Sequence, residues 1–230
     1  MIFLGGGALL TQAVICAHKL GLRVDVVCCP VNDRSMPRLK MLDVPVFESE
    51  DPNIDLLPML SDFKGKAAFS VNNRHILSDE LLCSGVDFFN IHNGLVQQYR
   101  GAPQVCIFAA LCRCEQRYGV TLHKILPSQR VDSGPVVVQL EFDIASDDVF
   151  STVFTKSLDA CQAIFELNVE RVVTGAYSEN EVEFSGPEYS YQNLAQIRAQ
   201  ADACGFAKAS NLGPYAAFFP KFKNIVESLR

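Results

Sequence analysis

The sequence predicts an α/β fold, and two observations carry the prediction. Five short apolar runs occur before residue 92, and stretches of helical spacing separate most of them. Strands that alternate with helices build a parallel sheet covered on both faces. With right-handed crossovers this becomes a Rossmann-like open, mainly parallel sheet with helices on both faces.

The first run is residues 2–4, followed by Gly5-Gly6-Gly7. Ala8 to Leu20 then has helical spacing, and Gly21 is its stop signal. Arg23 to Cys29 is the second strand, ending at Pro30; Val44 to Phe47 is the third. Asp55–Phe63 is expected to be helical, Ala67–Val71 the fourth strand, Ser78–Ser84 helical and Asp87–Ile91 the fifth strand. Beyond Gly101 the pattern changes. Gln104–Cys114 reads as a helix, and Gly119–Ile125 and Val136–Phe142 as strands of an antiparallel extension. Asp147–Gly175 is one long helix with apolar Val149, Val153, Leu158, Ile164, Leu167 and Val172. The remainder, residues 176–230, is expected to be a small C-terminal appendage. It has a short strand around Val182-Glu183-Phe184, a helix near Asn193–Ala203, and aromatic residues whose default role is core packing. Residues 1–175 form the main domain in this reading.

The 230 residues suit one medium domain with a sizeable core. A net charge of -6 argues against a nucleic-acid partner, because phosphate binding needs clustered Lys and Arg. No apolar run is long enough to span a bilayer, so no membrane partner is expected. The start lacks a basic region of the kind that opens a signal peptide, and a cytoplasmic location is expected. Of the nine cysteines, Cys16, Cys28, Cys106 and Cys161 sit among apolar neighbours and read as reduced core residues. Cys112-Arg113-Cys114 is half a metal site without a second half, so no metal is expected.

Gly5-Gly6-Gly7 sits between a strand and a helix. It is either an anion cradle at a helix N-terminus or a tight turn. A dinucleotide fingerprint fails: Leu10 stands where a third glycine belongs, and Cys28 and Cys29 where an acid would close the second strand. Asn90 and His92 share a face at the carboxyl end of a strand, where open α/β sheets bind ligands. The segment that follows, Asn93 to Gly101, is long, polar and bounded by glycine. Asp132, before Ser133-Gly134, is otherwise a common turn residue. His123, in a strand, is expected to pack behind the site.

Asn-Ile-His-Asn-Gly-Leu-Val-Gln-Gln-Tyr-Arg-Gly at 90–101 resembles the signature loop of the folate-dependent formyltransferases. Tyr118–His123 is similar to that family's next strand, Val131–Pro135 to its Asp-containing loop, and Ser70–Leu77 to the segment lining its folate pocket. The resemblance covers about residues 1–175 and implies the formyltransferase fold, with 10-formyltetrahydrofolate as formyl donor and a primary amine as acceptor. It implies that Asn90 donates to the developing oxyanion, that His92 stabilises it, relays a proton or does both, and that Asp132 orients His92. It assigns Asn73, His75, Ile76, Leu77 and Val131 to the donor, with His75 open to the acceptor too, and Gly6, Gly7, Asn93 and Arg100 to the acceptor. Arg100 either holds an acceptor anion or ties down its loop.

The sequence departs from the family just after the histidine. Asn93-Gly94-Leu95-Val96-Gln97 replaces a stretch that commonly carries Ser and Pro, and a less constrained loop is expected. The resemblance points to a small amine-bearing acceptor: a nucleotide-linked amino sugar or an aminoacyl group on a carrier protein. Methionyl-tRNA is disfavoured by the acidic charge and the shorter chain, and Tyr99-Arg100-Gly101 looks less like the glycinamide ribonucleotide branch. A folate-binding module without catalysis, a 10-formyltetrahydrofolate hydrolase, and a homodimer are the alternatives kept open.

Overall fold

The computed structural model describes all of residues 1–230 except Asp62 and Lys64. In chain order the strands are β1 (Ile2–Gly5), β2 (Val26–Pro30), β3 (Val46–Ser49), β4 (Ala67–Val71), β5 (Asp87–His92), β6 (Arg100–Gly101), β7 (Arg117–Ile125), β8 (Val136–Asp143) and β9 (Glu188–Tyr189). The helices are α1 (Gly7–Lys19), α2 (Met36–Lys40), α3 (Pro52–Asp55), α4 (Leu57–Leu60), α5 (Asp79–Leu82), α6 (Pro103–Cys112), α7 (Phe150–Thr174), α8 (Leu194–Gln200), α9 (Ala203–Ala209) and α10 (Pro220–Ser228). A seven-stranded sheet has the order β3-β2-β1-β4-β5-β7-β8, and β1, β2, β3, β4 and β5 pair in parallel. This is the mainly parallel α/β architecture that the alternating pattern predicts.

The chain divides into two compact units that interleave along the sequence. The first comprises Met1–Ile91, Leu122–Val138 and Cys161–Glu181; the second comprises His92–Thr121, Gln139–Ala160 and Val182–Arg230. The 176–230 segment therefore supplies six residues to the first unit and the rest to the second.

In the first unit the strand period of two sorts side chains onto two faces. Ile2, Leu4, Val26, Ala68 and Phe88 pack with Leu60 and Leu81 from the short helices and with Leu56 between two of them. Their neighbours Phe3, Phe69 and Phe89 point the other way. Phe165 of α7 lies 5.8 Å from Phe3 and 5.2 Å from Phe69, ring centre to ring centre. Burying each such side chain stabilises the fold by about 1.5–3 kcal/mol. In the second unit α6 is buried along Val105–Cys112. Phe108 meets Phe206 and Phe222, and Tyr99 stacks on Tyr189 at 5.7 Å. The late aromatics Tyr189, Phe206 and Phe222 are thus core of the second unit, while Phe218 is exposed.

Two local expectations change. The helix over 55–63 is two short helices, because Pro58 lacks an N–H and fits only the first turn of a new one; Asp62 lies outside the described residues. The strand around Val182–Phe184 does not form. Phe184 instead lies against Arg100, and the amides of Ser185 and Gly186 donate to the Gln97 carbonyl.

The thiols follow their burial. Desolvation pushes Cys28 up to about 11 and Cys161 and Cys112 to about 12, so these are inert core groups. Cys112 is buried and Cys114 exposed.

Candidate active site

Three polar side chains of the first unit converge. Asn90 stands near the carboxyl end of β5, anchored by buried Phe88 and Phe89 before it. His123 is on β7 and 2% exposed. Asp132 sits in the turn between β7 and β8 with φ 53°, and its side chain is 8% exposed. The Lys124 amide donates to the Pro135 carbonyl at 2.9 Å and closes this turn. A Cβ on Gly134 would stand 1.9 Å from the Lys124 carbonyl oxygen, so glycine is required there.

Asn90 Nδ2 donates to Asp132 Oδ1 at 3.1 Å and lies 3.2 Å from His123 Nε2. His123 Nε2 is 3.4 Å from Asp132 Oδ1. The sequence places His123 behind the site; the structure puts it in contact with two of the three residues picked as catalytic. Leu122 and Lys124 flank it, so the pleat turns His123 away from both, and β7 leads straight into the Asp132 turn.

His92 opens the second unit, 4% exposed, with Nε2 2.6 Å from the Tyr99 carbonyl oxygen. That oxygen only accepts, so Nε2 carries the proton. The loop after His92 is firmly held. Thr121 Oγ1 donates to the Gly94 carbonyl at 2.8 Å and receives the Val96 amide and Gln139 Nε2. The Gln139 amide also meets Gln97 at 2.7 Å. Tyr118 OH donates to the Asn93 carbonyl, and Asn93 Nδ2 to Ser157 Oγ. A Cβ on Gly94 would lie 2.4 Å from the Tyr99 oxygen. The less constrained loop expected from the missing proline is therefore corrected: side-chain hydrogen bonds replace ring stiffness.

Two buried polar atoms of this loop lack a hydrogen-bond partner among the described residues, Asn93 Oδ1 and Arg100 Nε. Arg100 Nη2 donates to the Gly186 carbonyl at 3.3 Å, and its guanidinium carbon lies 4.5 Å from the Phe184 ring centre. Arg100 thus ties its loop to the 184–186 segment while one N–H stays unmatched.

The remaining sequence-picked residues lie in the first unit. Gly6 and Gly7 form the turn into α1, but Asp33 already fills the helix end, its carboxylate accepting the Gly7 amide at 3.2 Å. Burial pushes the Asp33 carboxyl up; hydrogen bonds from Ser35 and Gly7 and the Arg74 charge outweigh it and hold the group below its ordinary value. A second anion at Gly6 and Gly7 would have to displace this carboxylate. Asn73 brackets His75, accepting its amide and donating to its carbonyl, and Asn53 Nδ2 donates to the Ile76 carbonyl. Ile76 is 77% exposed and Val131 38%, whereas Leu77 is buried in the core with Leu56 and Leu81. His75 Nδ1 is 4.0 Å from Asp51.

In the first unit an amide donor, a carboxylate and an imidazole meet near strand ends of an α/β sheet, a set of polar side chains suited to group transfer. A sequence model of the formyl transferase family matches residues 61–169, which contain Asn90, His92, His123 and Asp132. That matched segment is similar to the formyl transferase family. Its fold is similar to that of an N-formyltransferase from Helicobacter canadensis, solved in complex with folinic acid and dTDP-3-aminofucose: TM-score 0.69, 19% identity, 84% of this chain and 71% of that one covered. A 4-N formyltransferase from Francisella tularensis gives 0.71 at 17% identity over 93% and 89% of the two chains. Phosphoribosylglycinamide formyltransferase from Coxiella burnetii gives 0.66 at 20% identity over 82% and 98%. No described helix is long and apolar enough to cross a membrane.

Proposed function

We propose that this chain is a folate-dependent N-formyltransferase that moves a formyl group from 10-formyltetrahydrofolate to the primary amine of a nucleotide-linked amino sugar. The observation that carries the reading is the contact of Asn90 with Asp132, residues 42 apart in sequence, inside a matched formyl transferase segment. The acceptor class rests on the Helicobacter canadensis relative, whose complex holds such a sugar.

The donor supplies an activated formyl carbon when bound. The first unit offers exposed apolar side chains that support this reading. Asn73 and Asn53 fix the backbone around His75 and Ile76, leaving the Ile76 side chain outward; exposed Val131 adds apolar surface for a flat ring system. Asn73, His75, Ile76 and Val131 would hold it, with Leu77 supporting from the core. Asn90 offers an N–H to negative charge building on the reacting oxygen; one such donor is worth roughly 3–4 kcal/mol. His92 moves the amine proton or shares the charge. Asp132, when ionised, favours a charged imidazole. Asn93 and Arg100 hold the acceptor through their unmatched polar atoms.

A thermal-shift panel of nucleotide sugars with folate present tests the acceptor. A rise in melting temperature with amino sugars and not with their hydroxyl counterparts supports the reading. Formate release from the donor with no amine present, at the rate seen with amine, would mark a hydrolase instead.

A further inference from the structure

We infer that His123 is a positioning residue that governs whether Asn90 has an N–H free for the reacting oxygen, and that it does so by gaining or losing one proton. The inference rests on the formyltransferase reading for its consequence, and on geometry for its content.

His123 Nδ1 lies 3.1 Å from the Lys124 carbonyl oxygen. A carbonyl only accepts, so Nδ1 carries a proton in either charge state. In the neutral ring Nε2 is then an acceptor. Asn90 Nδ2, 3.2 Å away, points one N–H at it and the other at Asp132 Oδ1, 3.1 Å away. An ionised Asp132 only accepts, which fixes the same orientation of the amide. Both Asn90 donors are therefore committed while His123 is neutral. The His123–Asp132 separation of 3.4 Å, the longest of the three, fits two acceptors side by side.

A proton taken from solvent onto Nε2 reverses one partnership. The ring becomes a donor, Asp132 Oδ1 its acceptor, and Asn90 loses its hold on His123. One amide N–H is then released to meet charge on another oxygen. Loss of the proton restores the first arrangement. Asp132 lies against the ring, and one residue along β7 stands Lys124, whose Nζ is taken by Asp87 Oδ1 at 2.8 Å and Glu179 Oε1 at 3.3 Å. Asp132 is thus the carboxylate the ring proton answers to.

Nitrogen-resolved NMR of the labelled protein, with neither folate nor amine added, tests this directly. Above its titration, His123 should show the Nδ1-protonated tautomer, and both Asn90 side-chain amide signals should shift with the His123 midpoint. In His123→Gln the Asn90 signals should stop responding over that range. Kinetically, His123→Gln should lower kcat by about 100-fold, the cost of a misplaced catalytic group, with the amine KM within twofold. Its kcat should lose the dependence that shares the His123 midpoint. An Nε2-protonated tautomer, or Asn90 signals that stay flat through the His123 titration in the unsubstituted protein, would overturn the inference. Absence of formyl transfer by the unsubstituted protein would instead sink the functional reading and leave the NMR result standing.

Discussion

Asn90, His123 and Asp132 in the first unit and the Asn93–Arg100 loop in the second handle polar groups in opposite ways. In the first, candidate catalytic atoms meet one another, at 3.1 to 3.4 Å. In the second, polar atoms are spent on architecture: Thr121, Gln139, Gln97, Tyr118 and Ser157 stitch the loop in place. Among the described residues, Asn93 Oδ1 and Arg100 Nε of this loop are left over. The contrast separates two tasks. On the proposed function, chemistry would sit where side chains satisfy each other and can exchange partners, and acceptor choice where a held loop leaves two unmatched atoms.

Removing chemistry should show the largest effect. Asn90→Ala should lower kcat by roughly 10²–10³-fold, as loss of an oxyanion donor does, with the melting temperature nearly unchanged. Steady-state kinetics beside calorimetry checks it; an equal loss of stability would blur the contrast. Next comes the stitching. Thr121→Val strands the Val96 amide and the Gly94 carbonyl, both buried, and should cost about 1–3 kcal/mol in denaturant unfolding. Its kinetic mark should be a raised amine KM rather than a lower kcat.

Much of this was legible in the sequence, for physical reasons. Apolar runs such as Ala67–Val71 and Asp87–His92 lie within a residue of their predicted strands because burial on both faces leaves few alternatives. The fate of Val182–Phe184 was not legible, since its β-like composition yields to Arg100 and Gln97, which are distant in sequence. Asn90 and Asp132 could be paired from motif order. His123 could not, because a histidine in an apolar strand reads as core until its neighbours across the sheet are known. The loop after His92 was misread for a related reason: the missing proline is visible in the sequence, but Thr121 and Gln139 are hydrogen-bond partners only in the fold.

A smaller effect lies at the acceptor loop's edge. Arg100→Lys keeps the charge but loses the planar fork over Phe184, and should raise the acceptor KM while costing about 1 kcal/mol of stability. The smallest concerns the α1 turn. Asp33 is held below its ordinary carboxyl value, so its stabilising contribution is complete above about 3.8 and is lost as pH falls through the folded value. Asp33→Asn should flatten that part of the acid-stability curve, with a loss near neutrality of about 1 kcal/mol. Formyl transfer should be unaffected if Gly6 and Gly7 serve the turn, and impaired if they hold the acceptor.

The most direct test of the account is single-turnover transfer from 10-formyltetrahydrofolate to a nucleotide-linked amino sugar, read as the acceptor's mass gain of one formyl group. The unsubstituted protein should produce the formylated sugar. Asp132→Asn should bind folate equally well and transfer at least about 100-fold more slowly, within the range a general acid–base group contributes. Equal transfer rates for the two proteins would contradict the assignment of the chemistry to Asn90 and Asp132.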